Sequence, residues 1–223
     1  MTLIVSLRIP DGIVIAGDSL STMMGEIQVV GEVDVTCPNC GHEHKVGPTP
    51  ISNIPFPSTT FSYAQKIFPF GDSFGIGTFG IGQLAGKTIF FNVRELEKEL
   101  IENDELPSNV SKASDIIGER LQKLLEETIT DFDQAPDDWR AGGVQVVGYD
   151  HDDDTGEKLA KTIEVIIGKE LTKNVVTDPG CTFSGRGRVV RAIWDLYKEN
   201  PKDQAEYKLF SLEDAIRYAE FLI

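Results

Sequence analysis

Basic residues are in short supply. Lysine and arginine number 21 against 36 aspartates and glutamates, a formal net charge of -15 over 223 residues. Nucleic acid is a poor partner for such a chain, because phosphate binding needs clustered positive charge. Cysteine is scarcer still, with three thiols, and only Cys37 and Cys40 lie close together in sequence. No apolar run reaches the roughly 20 residues that span a bilayer as a helix, so no membrane is expected as a partner. The first residues form neither a charged leader nor a signal peptide, and a cytoplasmic location is expected. Repeats and low-complexity tracts are absent. The chain is long enough to bury a substantial core. It reads as one domain over residues 1–223, interrupted by an insertion over about residues 23–63.

Against these absences stands an unusual beginning. Thr2 follows Met1 directly and opens the run Thr2-Leu3-Ile4-Val5-Ser6-Leu7. Threonine is small enough for methionine removal by an aminopeptidase, which would give Thr2 a free α-amine beside its own hydroxyl. Nucleophile and base then share one residue. An α-amine titrates near about 7.7–8.0, close enough to neutrality to accept the hydroxyl proton. Leu3 to Ile9 reads as a strand, with Ser6 and Arg8 alternating outward. Pro10-Asp11-Gly12 is turn chemistry, and Ile13 to Gly17 reads as a second buried strand ending at Asp18-Ser19. A hairpin of that kind returns Asp18 toward the start of the chain. Lys66 precedes the short run Ile67-Phe68-Pro69-Phe70. After the turn Gly71-Asp72-Ser73 comes Phe74-Gly75-Ile76-Gly77-Thr78-Phe79-Gly80-Ile81-Gly82. Glycine weakens a strand unless something approaches the backbone closely, and this run is expected to open N–H groups to a substrate or an oxyanion.

Two amphipathic helices are expected next, over Lys87–Ile101 and from after Asn109 to about Phe132, the second turning Ile116, Ile117, Leu121, Leu124 and Leu125 inward. Strands follow at 141–149, 162–167 and 171–176. The acidic segment Asp150 to Gly156 between the first two reads as a solvated hairpin tip.

The N-terminal run, the segment Asp11-Gly12-Ile13-Val14-Ile15-Ala16-Gly17-Asp18-Ser19, the Lys66-Ile67 pair and the Gly-rich strand together resemble the N-terminal half of proteasome β-type subunits. They are especially similar to the bacterial proteasome-like peptidase that works with an AAA+ unfoldase. These are N-terminal-nucleophile (Ntn) hydrolases. The resemblance implies an α+β fold, a four-layer αββα sandwich, here with a Cys/His-containing hairpin as its insertion. It places Thr2 on the nucleophile, Lys66 on the lysine near the amine, Asp18 on that lysine's carboxylate partner and Gly80 on the oxyanion N–H. Ser21, Thr78 and Gly82 fall on substrate-groove positions. It further implies sister subunits in a ring or spiral, a peptide substrate, an ATP-dependent unfoldase as partner, and no cofactor for catalysis.

Two features depart from the active pattern. Phe183-Ser184-Gly185-Arg186-Gly187 is expected to open a helix where active members carry Gly-Ser-Gly, and the flanking glycines set Arg186 on the serine's position. A guanidinium cannot relay a proton at neutral pH, although Arg186 could bind a substrate carboxylate. Ser211–Phe221 resembles the family's last long helix, and the closing strands that follow it in active members are also expected to be absent. Threonine-type peptide hydrolysis is therefore the leading expectation, with a non-catalytic structural subunit and a small-molecule Ntn amidohydrolase as alternatives.

The insertion carries its own chemistry in Cys37-Pro38-Asn39-Cys40-Gly41-His42-Glu43-His44. Cys-Pro-x-Cys-Gly is the turn of a zinc knuckle, in which two thiolates converge and glycine permits the tight backbone. His42 and His44 share one side of a strand and complete a candidate four-ligand set for a structural zinc. A knuckle retained without metal and a disulfide are the other readings. Cys181 reads as a buried small residue.

Overall fold

The protein is described by a computed structural model covering residues 2–19, 21–61, 64–151, 156, 158–185 and 206–223. It mixes α-helices with antiparallel sheets, an α+β composition. The chain divides into two compact units, one of Met1–Ser19 with Gln65–Ile223 and one of Leu20–Ala64. Among the described residues no helix is long and apolar enough to cross a membrane.

The larger unit contains two main sheets. Strand β1 (Leu3–Ile9) lies between β2 (Gly12–Gly17) and the late strand β12 (Gly180–Gly185), antiparallel to both. The second sheet has the order β11-β10-β9-β6-β5, from β5 (Ile67–Phe70), β6 (Phe74–Phe79), β9 (Arg140–His151), β10 (Lys158–Gly168) and β11 (Thr172–Val176). Its neighbours are antiparallel throughout.

Among the described residues, three α-helices cover these sheets. Helices α1 (Ile89–Glu102) and α2 (Val110–Thr128) turn Val93, Leu96, Leu100, Ile117, Leu121 and Leu125 onto the five-stranded sheet. There they meet Phe68, Ile76, Val144, Val146, Ile163 and Val165 in one core. Helix α3 (Leu212–Leu222) packs Ala219 and Leu222 against Val5 and Leu7 of β1 in a second cluster. The opposite face of β1 meets the five-stranded sheet. Ser6 Oγ lies 3.2 Å from Thr162 Oγ1, and Arg8 Nη1 donates to that hydroxyl at 3.0 Å and to Thr182 Oγ1 at 2.8 Å.

Ser6 and Arg8 therefore point inward, not outward as their polarity suggests, and are 0% and 2% exposed. Strand alternation holds, but both faces of this sheet are covered. Polar side chains on the inner face must then find partners within the protein.

The glycine run is also corrected in part. Gly75 and Gly77 lie inside the β6 ladder. A Cβ at Gly77 would stand 2.6 Å from Ile4 Cγ2, and one at Gly75 3.0 Å from Val147 Cγ2. Their missing side chains make room for packing between and within the sheets, not for substrate. Only Gly80 and Gly82 lie beyond the strand.

Element boundaries shift where capping decides. Lys87–Thr88 forms β8, paired with β7 (Gln83–Leu84), so α1 begins at Ile89 with the Thr88 hydroxyl accepting from Phe91 N–H. Helix α2 ends at Thr128, short of Phe132, because Ile129 is already extended. The segment Phe183-Ser184-Gly185, expected to open a helix, ends strand β12 and pairs with Leu3 to Val5. Residues 186–187 of that motif lie outside the described residues.

The smaller unit is a long antiparallel hairpin of β3 (Ser21–Thr36) and β4 (Glu43–Phe61). Its register shifts at Met23/Met24, Val29/Val30 and Gly31/Val33. Its two strands form a two-stranded sheet of their own.

Candidate functional site

The start of β1 is fixed by a carboxylate. The β1–β2 hairpin carries Asp18 past Gly17 and back beside Leu3, where Asp18 N–H donates to Leu3 C=O at 3.1 Å. The Asp18 side chain returns the contact: its Oδ1 accepts from Leu3 N–H at 2.6 Å. Its other oxygen, Oδ2, accepts from Lys66 Nζ at 2.9 Å. One carboxylate thus holds the residue after Thr2 with one oxygen and the Lys66 ammonium with the other.

Lys66 is 7% exposed and its partner side chain 21%. A buried ammonium with a hydrogen-bonded carboxylate avoids the heavy penalty of a lone buried charge. The Lys66 carbonyl accepts from Thr78 N–H at 2.8 Å, which ties the approach to β5 to the far part of β6. Thr78 is half-buried and stands opposite Val144 of β9.

One glycine lies against the Thr2 backbone and another turns the chain out of β6. Gly185, at φ +93°, passes so near that a Cβ there would stand 2.0 Å from Thr2 O and 3.5 Å from Phe79 Cβ. It therefore touches both the candidate nucleophile residue and the residue preceding Gly80. Gly80 turns the chain out of β6 at φ +79°, and a Cβ on it would meet Gly142 Cα at 2.4 Å and Ala141 O at 2.7 Å. Neither position accepts a side chain without backbone movement. Gly82 is exposed, with nothing within 4 Å of where a Cβ would sit.

Asp18 and Lys66 therefore meet beside Leu3, the residue after Thr2, and Thr78 is linked through the Lys66 backbone, while Gly80 follows Phe79, a neighbour of Gly185. Ser21 opens β3 in the other unit, and its side chain lies outside the described residues, as does Arg186.

Sequence reasoning missed a polar line next to this cluster. Ser184, one residue before Gly185, donates to Glu164 Oε1 and accepts from Gln145 Nε2 at 2.7 Å. Gln145 is 0% exposed, and its Oε1 has no hydrogen-bond partner among the described residues. Strand alternation from Arg8 through Ser6 toward Thr2 carries the available signal, since it sets the inner face that Ser184 and Gln145 share. Further along, the Arg8 guanidinium also donates through Nε to Asp178 C=O at 2.9 Å, and burial lowers its pKa. Burial likewise pushes the Cys181 thiol up to about 12, against the opposing pull of Arg8.

The Cys/His segment forms the tip of the β3–β4 hairpin. Cys37 N–H donates to His42 C=O and Gly41 N–H to Cys37 C=O, each at 2.9 Å, with Gly41 at φ +69°. Backbone N–H groups of Asn39 and Cys40 point at the Cys37 sulfur, joined by a hydrogen bond from the Cys40 side chain, and together they lower the Cys37 pKa. Cys40 and His42 are exposed, and the side chain of His44 lies outside the described residues. Among the described residues no three His, Cys, Asp or Glu side chains gather as a metal site. No family model matches this chain, and no curated protein matches it.

Proposed function

We propose that the protein is an N-terminal threonine hydrolase acting on peptide bonds, built as a four-layer αββα sandwich of the Ntn type. The observation that carries this reading is the Asp18 carboxylate, which binds Leu3 N–H and Lys66 Nζ at once. That arrangement fixes the chain start against a buried ammonium, which is what an α-amine base requires. The layering is supported by α1 and α2 on the outer face of one sheet and α3 on the outer face of the other. The polar contacts of Ser6 and Arg8 join the two inner faces.

With Met1 removed, the Thr2 hydroxyl oxygen attacks the scissile carbonyl carbon and its proton passes to the Thr2 α-amine. The Lys66 ammonium disfavours protonation of that amine, which leaves it free to take the hydroxyl proton, while Asp18 holds and orients Lys66. The Gly80 N–H receives the oxyanion, a contribution of about 3–4 kcal/mol in comparable sites. Collapse of the intermediate breaks the C–N bond, and the leaving amine takes the proton from the α-ammonium. Water then hydrolyses the Thr2 ester by the same proton route. By the family resemblance, sister subunits would enclose the site and an unfoldase would supply substrate.

The test is intact mass before and after exposure to a threonine-directed β-lactone. Loss of Met1 and a single adduct on Thr2 are expected. A folded chain that lacks Met1 and takes no adduct assigns the protein to the non-catalytic structural reading. Acyl-amide turnover without peptide turnover assigns it to the small-molecule amidohydrolase reading.

A further inference from the structure

We propose that Glu164 is a positioning residue for Thr2, acting through the Ser184 hydroxyl and the end of β12. The inference rests on the hydrolase reading for what Thr2 does, and not for how Thr2 is held. Methionine removal leaves Thr2 as the first residue of the chain, and chain ends stay loose unless something ties them down. Strands β2 and β12 flank β1 on its two sides. On the β2 side, Asp18 takes Leu3 N–H. The β12 side needs a counterpart.

Strand β12 stands at the edge of its sheet, with β1 as its ladder partner. The register Leu3↔Gly185 and Ile4↔Ser184 sets Ser184 opposite Ile4. By alternation Thr2 faces the same way as Ile4, which makes it the diagonal neighbour of Ser184 on the inner face. The next residue, Gly185, lies directly against the Thr2 carbonyl oxygen. Whatever fixes Ser184 therefore fixes the backbone that Thr2 rests on.

Ser184 is held from the opposite sheet. It is 3% exposed, donates its hydroxyl proton to Glu164 Oε1, and accepts from Gln145 Nε2 at 2.7 Å. Glu164 and Gln145 are themselves cross-strand partners in β10 and β9. A carboxylate acceptor makes the stronger kind of hydrogen bond, so Glu164 decides where the hydroxyl proton goes. The direction of the whole line follows. A hydroxyl has one proton to give, so Ser184 can only accept from Gln145, and the amide must present its nitrogen. That orientation leaves Gln145 Oε1 without a hydrogen-bond partner among the described residues. A buried acceptor left bare is destabilising. Such groups collect at functional sites, where placement outweighs stability.

The experiment uses the full chain and follows the rate of Thr2 acylation by the β-lactone, split into a maximal rate and a half-saturating concentration. Glu164→Ala is expected to lower the maximal rate by roughly tenfold to a hundredfold, the scale of a displaced nucleophile, with half-saturation unchanged. Glu164→Gln retains an oxygen for Ser184 and should recover most of that loss. Ser184→Ala should match Glu164→Ala, and the double variant should lose no more than either, because the two act as a unit. A role confined to stability would lower the melting temperature of Glu164→Ala yet leave its folded form acylating at the wild-type rate, and that result overturns the proposal. A Glu164→Gln rate as low as that of Glu164→Ala overturns it too, since Thr2 would then not depend on the hydrogen bond. Amide exchange over Leu3 to Val5, read by nuclear magnetic resonance, follows the docking without any chemistry. It should quicken in Glu164→Ala and recover in Glu164→Gln. A wild-type chain that loses Met1 and takes no adduct ends the hydrolase reading alone. Faster exchange in Glu164→Ala then still supports the docking of Thr2 by Glu164, and unchanged exchange overturns it.

Discussion

Asp18 does two separable jobs, and a single side chain can be edited to part them. Its Oδ1 positions Leu3 and its Oδ2 holds Lys66. Asp18→Asn keeps an oxygen for Leu3 N–H but removes the charge that balances the ammonium. Asp18→Ala removes both. The expected outcome is a peptidase rate lowered by roughly 100- to 10,000-fold in the asparagine variant, the range of a lost proton-transfer assistance, with stability also reduced because the buried Lys66 ammonium loses its countercharge. The alanine variant should lose more stability, because Leu3 N–H loses its acceptor as well. Equal rates in wild type and Asp18→Asn would remove this carboxylate from the mechanism. Cys181 yields a second expectation at the same scale. A thiol pushed up to about 12 by burial carries almost no thiolate at pH 8. Iodoacetamide on the folded, metal-free protein should therefore alkylate Cys37 and Cys40 and spare Cys181 until denaturant is added. Peptide mass mapping reads this directly.

At the scale of elements, the end of β12 is a tightly specified piece of chain. Gly185 combines φ +93° with a backbone approach that leaves no space for a methyl group over Thr2 O. Gly185→Ala should cost at least about 2 kcal/mol from strain and overpacking together. It should also lower the rate of lactone acylation more than Gly82→Ala, where the space is open. Equal effects of the two substitutions would mean that β12 does not position Thr2. This strand is also where the sequence misled. A Phe-Ser-Gly-Arg-Gly string carries no periodicity that separates a strand end from a helix start, and the partner that decides the matter, Leu3 to Val5, is about 180 residues away. The β1–β2 hairpin was legible because its turn and both its strands are local. Helices α1 and α2 were legible from their apolar spacing, and their ends were not, because Thr88 and Ile129 answer to capping and backbone geometry. Of the site, Asp18 and Lys66 were readable through the family resemblance. The Gln145–Ser184–Glu164 line was not, since no local pattern announces which polar residues two facing sheets will bury together.

For the molecule as a whole, stability should be divided unequally between its two units. The five-stranded sheet is covered by α1 and α2 and anchors the largest core, so its amides should open only near global unfolding. The hairpin strands pair only with each other among the described residues. Their ladder is interrupted by three register shifts, and β4 carries Pro48, Pro50, Pro55 and Pro57, none of which has an N–H to donate. A two-stranded ribbon on its own is marginal in water. Hydrogen exchange followed by mass spectrometry should accordingly find the central amides of β3 and β4 less protected than those of β9 and β10 by a factor of at least about a thousand, roughly 4 kcal/mol of opening free energy. Comparable protection in both units of the metal-free protein would mean that the hairpin is held by surfaces beyond its own ladder.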